Sequence, residues 1–182
     1  MNESIERILF TEEDIKEATK KVASRINADY KDITGTTVLL CILKGSLVFC
    51  SDLMRELDFP TELEFMKVSS YGSGTVSSGD LKISLDIGRD DISDVNFIIV
   101  EDIIDTGTTL SRLHALLLKR GAKSVKTATL LNNPSRRCVE YDPDYVGLMM
   151  PNEFVVGYGL DYNEQFRQLP YIGVLKPEIY KR

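Results

Sequence analysis

The chain has 182 residues, is 43% hydrophobic and 27% charged, and carries a formal net charge of −6 at pH 7. This length suits a single domain over residues 1–182, and the acidic balance without a block of Lys and Arg argues against a nucleic-acid partner. Three cysteines without zinc-site or disulfide spacing, and the lack of a signal peptide or a membrane-length apolar run, favour a cytoplasmic protein with no membrane partner.

Patterning in the first half of the chain predicts two helices and three strands. Thr11 precedes three acidic residues, a capping pattern, and the apolar residues that follow recur on one helix face. Residues 37–43 are apolar after their first residue, as in a parallel strand buried on both faces. The predicted ranges are 11–26 and 47–57 for the helices, and 37–43, 63–69 and 81–85 for the strands.

The second half continues this alternation and predicts the fold class. The predicted elements are strands over 97–100, 125–131, 145–149 and 154–158, and a helix over 110–120 that ends at Gly121. Strands that alternate with helices predict an α/β fold, in which a mostly parallel twisted sheet is flanked by helices. Ligands of such sheets bind beyond the carboxyl ends of strands, where Lys44 and Gly45 are expected.

The segment between the strands at 63–69 and 81–85 has the most flexible composition in the chain. It contains three glycines and three serines between Tyr71 and Gly79. Long flexible segments in compact domains are either surface loops or mobile lids, and the sequence leaves both interpretations open.

The most informative stretch is residues 95–109, where an apolar run ends in the carboxylates Glu101, Asp102 and Asp105. Three such carboxylates attract a hard cation, because they repel one another without a counter-charge. The small residues that follow lie at a predicted helix start, where an anion is favoured. A solvated strand end beside a helix cap is the simpler alternative. A phosphorylated substrate carried with Mg²⁺ explains both features together.

Residues 100–107 resemble the phosphoribosyl pyrophosphate motif of the type I phosphoribosyltransferases. Residues 43–46, 70–72 and 154–164, together with Arg167, resemble the hypoxanthine-guanine branch of that family, and the resemblance extends from about residue 11 to the end. It implies a type I phosphoribosyltransferase fold with a small hood formed by terminal segments, mainly residues 150–182. It also implies a lid over residues 70–80 that begins with Ser70 and Tyr71.

The resemblance implies an activity as well. Such an enzyme transfers the 5-phosphoribosyl group from phosphoribosyl pyrophosphate to hypoxanthine or guanine, and releases pyrophosphate with IMP or GMP. Its cofactor would be Mg²⁺, its substrates small molecules, and its assembly a homodimer or homotetramer. A non-catalytic regulator that senses phosphoribosyl pyrophosphate on the same fold is the alternative, as is a transferase with altered base selectivity.

Residue roles follow from the resemblance. Asp105 would be the general base at purine N7, and Mg²⁺ would lie against Glu101, Asp102 and Asp161, the first two of which also face the ribose. The 5′-phosphate would be cradled by Asp105, Thr106, Gly107, Thr108 and Thr109.

The resemblance also implies a pyrophosphate site and a purine site. Lys44, Gly45 and Arg167 would bind pyrophosphate, and the Lys44–Gly45 bond would be a cis peptide. Phe154 would stack on the purine and Val155 would offer backbone groups to its edge. The other purine contacts would be Ile103, Leu160 and Asp161.

One position departs from the family pattern. The family carries a lysine that donates to the 6-oxo group of the purine where this chain has Asn133, which can donate or accept. We expect 6-oxopurines to remain the substrates, with Asn133 among the purine contacts. Arg136 and Arg137 could replace the positive charge of the missing lysine. The alternative interpretation is that they form a solvated basic turn.

Overall fold

The computed structural model describes residues 2–70 and 81–181, which form a six-stranded sheet with helices on both faces and a separate three-stranded sheet. The helices are α1 (Glu12–Tyr30), α2 (Leu47–Arg55), α3 (Thr108–Lys119) and α4 (Pro177–Tyr180), and a 3₁₀ turn covers Pro134–Arg136. The strands are β1 (Ile5–Phe10), β2 (Thr36–Ile42), β3 (Glu62–Ser70), β4 (Leu81–Leu85), β5 (Val95–Ile104), β6 (Ser124–Asn132), β7 (Tyr145–Met149), β8 (Val155–Val156) and β9 (Ile172–Leu175).

The large sheet has the strand order β4-β3-β2-β5-β6-β7. All neighbours in it are parallel except the antiparallel edge pair β3 and β4. This arrangement confirms the predicted α/β class. No helix in the described ranges is both long and apolar enough to cross a membrane.

The central strands are buried on both faces because their side chains alternate between two cores. Leu39 and Cys41 of β2 belong to the core that contains Val22 of α1. Val38 of β2 belongs to the opposite core, which contains Leu113 of α3. The continuous apolar run of β2 is therefore needed to fill both cores, as its sequence indicated.

The smaller sheet is the hood, and it joins the two ends of the chain. β1 pairs antiparallel with β9, which in turn pairs with β8, in the order β1-β9-β8. Strands β1 and β9 were not among the predicted elements. Each is short, and each is stabilised by a partner at the far end of the chain.

Two boundaries around the acidic motif differ from prediction. β5 continues to Ile104 because Ile103 pairs with Leu131 of β6, so Glu101 and Asp102 lie within the strand and not in a turn. Helix α3 begins at Thr108, before the predicted residue 110. The turn between them is therefore only residues 105–107.

The predicted lid falls mostly outside the described residues. Ser70 ends β3 and pairs with Leu81, the first residue of β4. Tyr71 and the rest of the segment to Asp80 lie beyond what the structure describes. The lid therefore stays a prediction.

Candidate active site

A cavity of about 450 Å³ lies at the carboxyl ends of β2 and β5, where ligands of parallel sheets bind. Its volume is in the range of small-molecule sites. Most of the predicted site residues line it. These are Lys44, Gly45, Glu101, Asp102, Ile103, Asp105, Thr106, Gly107, Thr109, Leu160, Asp161 and Arg167.

Two adjacent carboxylates form one wall of the cavity. Burial raises the pKa of Glu101 well above its usual value, and the charge of Asp102 raises it further. Burial also raises the pKa of Asp102, while hydrogen bonds, including one from the Ile103 N–H, oppose the increase. A pair in this state is poorly compensated within the protein, so a cation at this wall would stabilise its charged form.

The turn after β2 lies against this pair. The Leu43–Lys44 peptide bond is cis, so the prediction of a cis bond between Lys44 and Gly45 was wrong by one residue. A β-carbon at Gly45 would lie 1.5 Å from Asp102 Oδ2, and one at Gly159 would lie 2.1 Å from the Gly45 carbonyl oxygen. Gly45 is thus packed between Asp102 of β5 on one side and Gly159 on the other.

The amino-terminal end of α3 forms a second wall. Gly107 is the N-cap and has φ of +77°, a conformation that glycine adopts readily. The N-cap glycine has no side chain to cap the helix, and the first turn contains no acidic residue. The Thr108 N–H donates to Thr106 Oγ1 at 3.4 Å. Thr106 and Thr109 line the cavity, whereas Thr108 does not. Backbone N–H groups and the helix dipole at this end favour a bound anion.

Two cations face the cavity and share a counter-ion. Lys44 Nζ donates to Glu164 Oε2 at 2.9 Å, and Arg167 Nη2 lies 3.2 Å from the same oxygen. Arg167 also contacts Asp161 Oδ1 at 2.8 Å and donates to the Gly159 carbonyl at 2.7 Å. Glu164 had no predicted role, although it lies within the segment that resembles the family.

The segment that supplies Glu164 has an unusual backbone. Tyr158, Asn163, Glu164 and Phe166 have positive φ, and they are the only non-glycine residues with this property in the described part of the chain. Such conformations are costly and concentrate at functional sites. The Glu164 N–H also donates to Asp161 Oδ2 at 2.8 Å, which fixes the two acids relative to each other.

Asp105 is held by the residues that follow β6. Asn133 Nδ2 donates to Asp105 Oδ1 at 3.2 Å, and Arg136 Nη1 forms an ion pair with Asp105 Oδ2 at 3.0 Å. Asn133 is 1% exposed and does not line the cavity. Its side chain therefore contacts Asp105 in this structure, and its predicted contact with the purine stays a prediction.

Arg137 clamps the turn that carries Asp105. Its Nε donates to the Asp105 carbonyl at 3.1 Å, and its other nitrogens donate to Asn132 Oδ1 and the Tyr141 carbonyl. The Arg137 side chain is 12% exposed, so the interpretation of Arg137 as part of a solvated basic turn was wrong. A β-carbon at Gly107 would lie 2.8 Å from Arg137 Cδ, so the arginine also packs against this turn. The arginine pair three and four residues after Asn133 was the available sequence signal.

The hood residues predicted at the purine, Phe154 and Val155, do not line the cavity. Phe154 is 39% exposed, stacks on Tyr180 with centroids 4.7 Å apart, and meets Tyr162 edge-on at 5.7 Å. Val155 is buried in β8. Leu160 and Ile103 do line the cavity. Phe154, Tyr162 and Tyr180 thus form an aromatic cluster in the hood.

The predicted metal ligands do not form a preformed cluster. Within residues 2–70 and 81–181, no three His, Cys, Asp or Glu side chains are arranged to hold a metal ion. Asp161, the third predicted ligand, is paired with Arg167. A metal at this site would therefore depend on oxygen atoms from water or from a ligand.

Comparison with known proteins agrees with this geometry. Residues 6–163 match the model of the phosphoribosyl transferase domain. The hypoxanthine-guanine phosphoribosyltransferase of Streptococcus thermophilus is 46% identical over 182 residues, which cover 100% of this chain and 99% of that protein. The chain spans only 27% of the bifunctional TilS/HprT proteins of Listeria, which match 99% of its residues.

Solved structures of related enzymes share both the fold and a comparable sequence identity with this chain. A hypoxanthine phosphoribosyltransferase from Staphylococcus aureus has a TM-score of 0.92 at 44% identity, with 98% of this chain and 96% of that chain covered. A Trypanosoma cruzi hypoxanthine phosphoribosyl transferase, studied for the role of its C-terminal region in oligomeric state and activity, has a TM-score of 0.92 at 44% identity, with 99% and 96% covered. The chain therefore belongs to the phosphoribosyltransferase family, in its hypoxanthine-guanine branch.

Proposed function

We propose that this protein transfers the 5-phosphoribosyl group from phosphoribosyl pyrophosphate to hypoxanthine or guanine. Base nitrogen N9 bonds to ribose C1, the bond from C1 to the pyrophosphate oxygen breaks, and the base loses its N7 proton. The products are IMP or GMP and pyrophosphate. The observation that carries the proposal is one cavity that combines a carboxylate pair, a helix start with a glycine N-cap and no acidic residue, and two cations.

The helix start is the proposed site of the 5′-phosphate. Gly107 at the N-cap leaves room for close approach, and backbone N–H groups of the first turn would donate to phosphate oxygens together with the hydroxyls of Thr106 and Thr109. Thr108 does not line the cavity, and its N–H donates to Thr106 Oγ1 at 3.4 Å, so its part in the phosphate site would require that hydrogen bond to open. These contacts would fix one end of the donor.

The cations are the proposed site of the pyrophosphate. Lys44 and Arg167 lie close enough to share one carboxylate oxygen, so they can also share one phosphate oxygen. An arginine and a lysine so placed would neutralise charge that develops on the leaving group. Glu164 would have to give up these contacts when pyrophosphate binds. The donor would then be gripped at both ends, with C1 between them.

The carboxylate pair fits Mg²⁺. Glu101 and Asp102 have raised pKa values because they are buried side by side, and oxygen ligands suit this ion. Two carboxylates are too few for a protein-only site, but Mg²⁺ usually keeps waters and binds substrate phosphates as well. When bound, the ion would supply positive charge to the leaving pyrophosphate. Asp161 could contribute once Arg167 turns to the ligand.

The base would lie between Asp105 and the apolar residues. Asp105 would accept the N7 proton as N9 forms its bond to C1, since its carboxylate lines the cavity. Ile103 and Leu160 would contact the faces of the ring, and Phe154 and Val155 of the hood would complete the pocket. Ser70 and Tyr71 would head a lid that limits hydrolysis of the donor.

Pyrophosphate release with phosphoribosyl pyrophosphate, Mg²⁺ and each of hypoxanthine, guanine, xanthine and adenine tests this function. We expect release with hypoxanthine or guanine, and much slower release with adenine. Preferred use of adenine would contradict the substrate class. Donor binding without release for any base would identify a sensor instead of an enzyme.

Asp105→Asn separates chemistry from binding. The amide cannot accept a proton, so kcat should fall by roughly 10²- to 10⁴-fold while the dissociation constant of phosphoribosyl pyrophosphate stays the same. Asp86→Asn is the matched control, because Asp86 pairs with Arg120 at 2.7 Å outside the cavity. A fully active Asp105→Asn variant would remove Asp105 from the chemistry.

We also propose a cytoplasmic homodimer or homotetramer. Cys41 and Cys50 are buried free thiols, and Cys138 is an exposed one, a combination that persists in reducing compartments. The Trypanosoma cruzi relative was studied for its oligomeric state. Light scattering across a hundredfold range of concentration should give two or four chains, and a monomer throughout would contradict the assembly.

A further inference from the structure

The carboxylate of Asp105 is held by two donors, and one of them is a cation that can also reach a ligand. Asn133 donates to one oxygen and Arg136 to the other. The Asn133 amide is bound on both sides by the protein, because its Oδ1 accepts from Ser135 Oγ at 2.6 Å. The Arg136 side chain is 54% exposed and uses one of its nitrogens on Asp105. Its remaining donors can therefore form further hydrogen bonds.

Asp105 lines the cavity, and Arg136 Nη1 lies 3.0 Å from its Oδ2, so a donor stands beside an acceptor, although Arg136 itself is not part of the lining. A 6-oxopurine carries N7 and O6 on one edge, and arginine recognises these two atoms in guanine. A free base that reacts through N9 has its proton on N7, so it would donate to Asp105 and accept at O6 from Arg136. Adenine has an amino group in place of O6, which would meet the guanidinium donor against donor.

We propose that Arg136 determines specificity for 6-oxopurines by donating to O6, an inference that rests on the proposed function. Asn133 is then a positioning residue, whose amide holds Asp105 beside N7. The neighbouring Arg137 cannot take the part of Arg136, because its guanidinium is buried and donates to three protein oxygen atoms. Lys44 lies beside Arg167 at the proposed pyrophosphate site, where both contact Glu164 Oε2, and is therefore assigned to the leaving group and not to the base.

The test compares kcat/KM for hypoxanthine and for unsubstituted purine, which lacks O6, in the wild type and in Arg136→Ala. Loss of the O6 contact should lower kcat/KM for hypoxanthine by roughly 10- to 100-fold and change that for purine less than about twofold. Arg136→Lys keeps a donor and should restore part of the preference. Arg120→Ala removes an exposed arginine that pairs with Asp86 outside the cavity, and should change neither value.

The results distinguish four cases. A selective loss for hypoxanthine, with partial recovery in Arg136→Lys, supports the proposal. An equal loss for both bases would show that Arg136 only positions Asp105, and no loss for either base would show that it does not meet O6, so either result overturns the proposal. A wild type without turnover on any base would overturn the proposed function itself, and this inference with it.

Discussion

Gly45 lies so close to Asp102 that a β-carbon at position 45 would be 1.5 Å from Asp102 Oδ2. The turn after β2 and the acidic end of β5 are therefore built as one unit. The two sides of this contact carry the proposed pyrophosphate site and the proposed metal site.

Gly45→Ala should disrupt this unit. The methyl group must displace Asp102 or the turn, and overpacking of this kind costs about 1–3 kcal/mol of unfolding free energy. Mg²⁺-dependent donor binding should weaken at least tenfold. Gly88→Ala is the matched control, because its nearest neighbour would be Glu64 Oε2 at 3.9 Å. Denaturant unfolding and calorimetry measure the two effects, and a Gly45→Ala variant that behaves like Gly88→Ala would refute the close contact.

Glu164→Gln should tighten the binding of pyrophosphate. The hydrogen bond from Lys44 lowers the pKa of Glu164, so this carboxylate is charged at neutral pH and competes with an anion for Lys44 and Arg167. Because exposed ion pairs are weak, we expect the dissociation constant of pyrophosphate to fall by only about two- to fivefold. Glu153→Gln, which removes a carboxylate paired with Arg7 at 2.6 Å, is the control. Weaker binding in Glu164→Gln would show that Glu164 supports the anion site.

Asp102→Asn should stabilise the metal-free protein at alkaline pH. Folding raises the pKa values of Glu101 and Asp102, so the folded state binds their protons more tightly than the unfolded state does. The corresponding stability is present at low pH and is lost as pH rises through the folded-state pKa values. Removal of one charge should therefore raise the free energy of unfolding at pH 8 by on the order of 1 kcal/mol.

Urea unfolding in EDTA at pH 5 and pH 8 measures this effect. The difference in stability between the two pH values should be smaller in Asp102→Asn than in the wild type. Asp94→Asn is the control, because Asp94 pairs with Lys123 and does not line the cavity. An Asp102→Asn variant that is less stable than the wild type at pH 8 would contradict the assignment of a repulsive pair.

Arg137→Lys should destabilise the turn that carries Asp105. Lysine keeps the charge, but its single nitrogen cannot serve oxygen atoms of Asp105, Asn132 and Tyr141 together. Buried acceptors left without partners cost about 1–3 kcal/mol. The free energy of unfolding should fall by that amount, and binding of the donor should weaken with it. Arg25→Lys, at an exposed arginine that donates to the Asp144 carbonyl, should be nearly neutral in the same unfolding assay.

Much of the fold could be predicted because its elements are locally encoded. β4 and β7 have the predicted bounds, and Thr11 forms the predicted capping box with Asp14. The errors have a shared cause in long-range pairing. Pairing with β6 continues β5 past Val100 to Ile104. The hood strands β1 and β9 pair with each other although they lie at opposite ends of the chain.

The site could be predicted as a set of residue types at strand ends, but not as a set of contacts. The sequence placed Lys44 and Asp105 in one cavity. It did not show that Arg136 and Asn133 would converge on Asp105, because that contact needs the register of β6 against β5. It also did not show Glu164 between two cations, since that contact depends on the positive φ values around it.

The most direct test of the account is a calorimetric titration of the wild-type protein with phosphoribosyl pyrophosphate, in Mg²⁺ and in EDTA. The arrangement of Glu101, Asp102 and the α3 helix start predicts saturable binding at one site per chain in Mg²⁺, and binding at least tenfold weaker in EDTA. Absence of any Mg²⁺-dependent uptake of this donor would contradict the account.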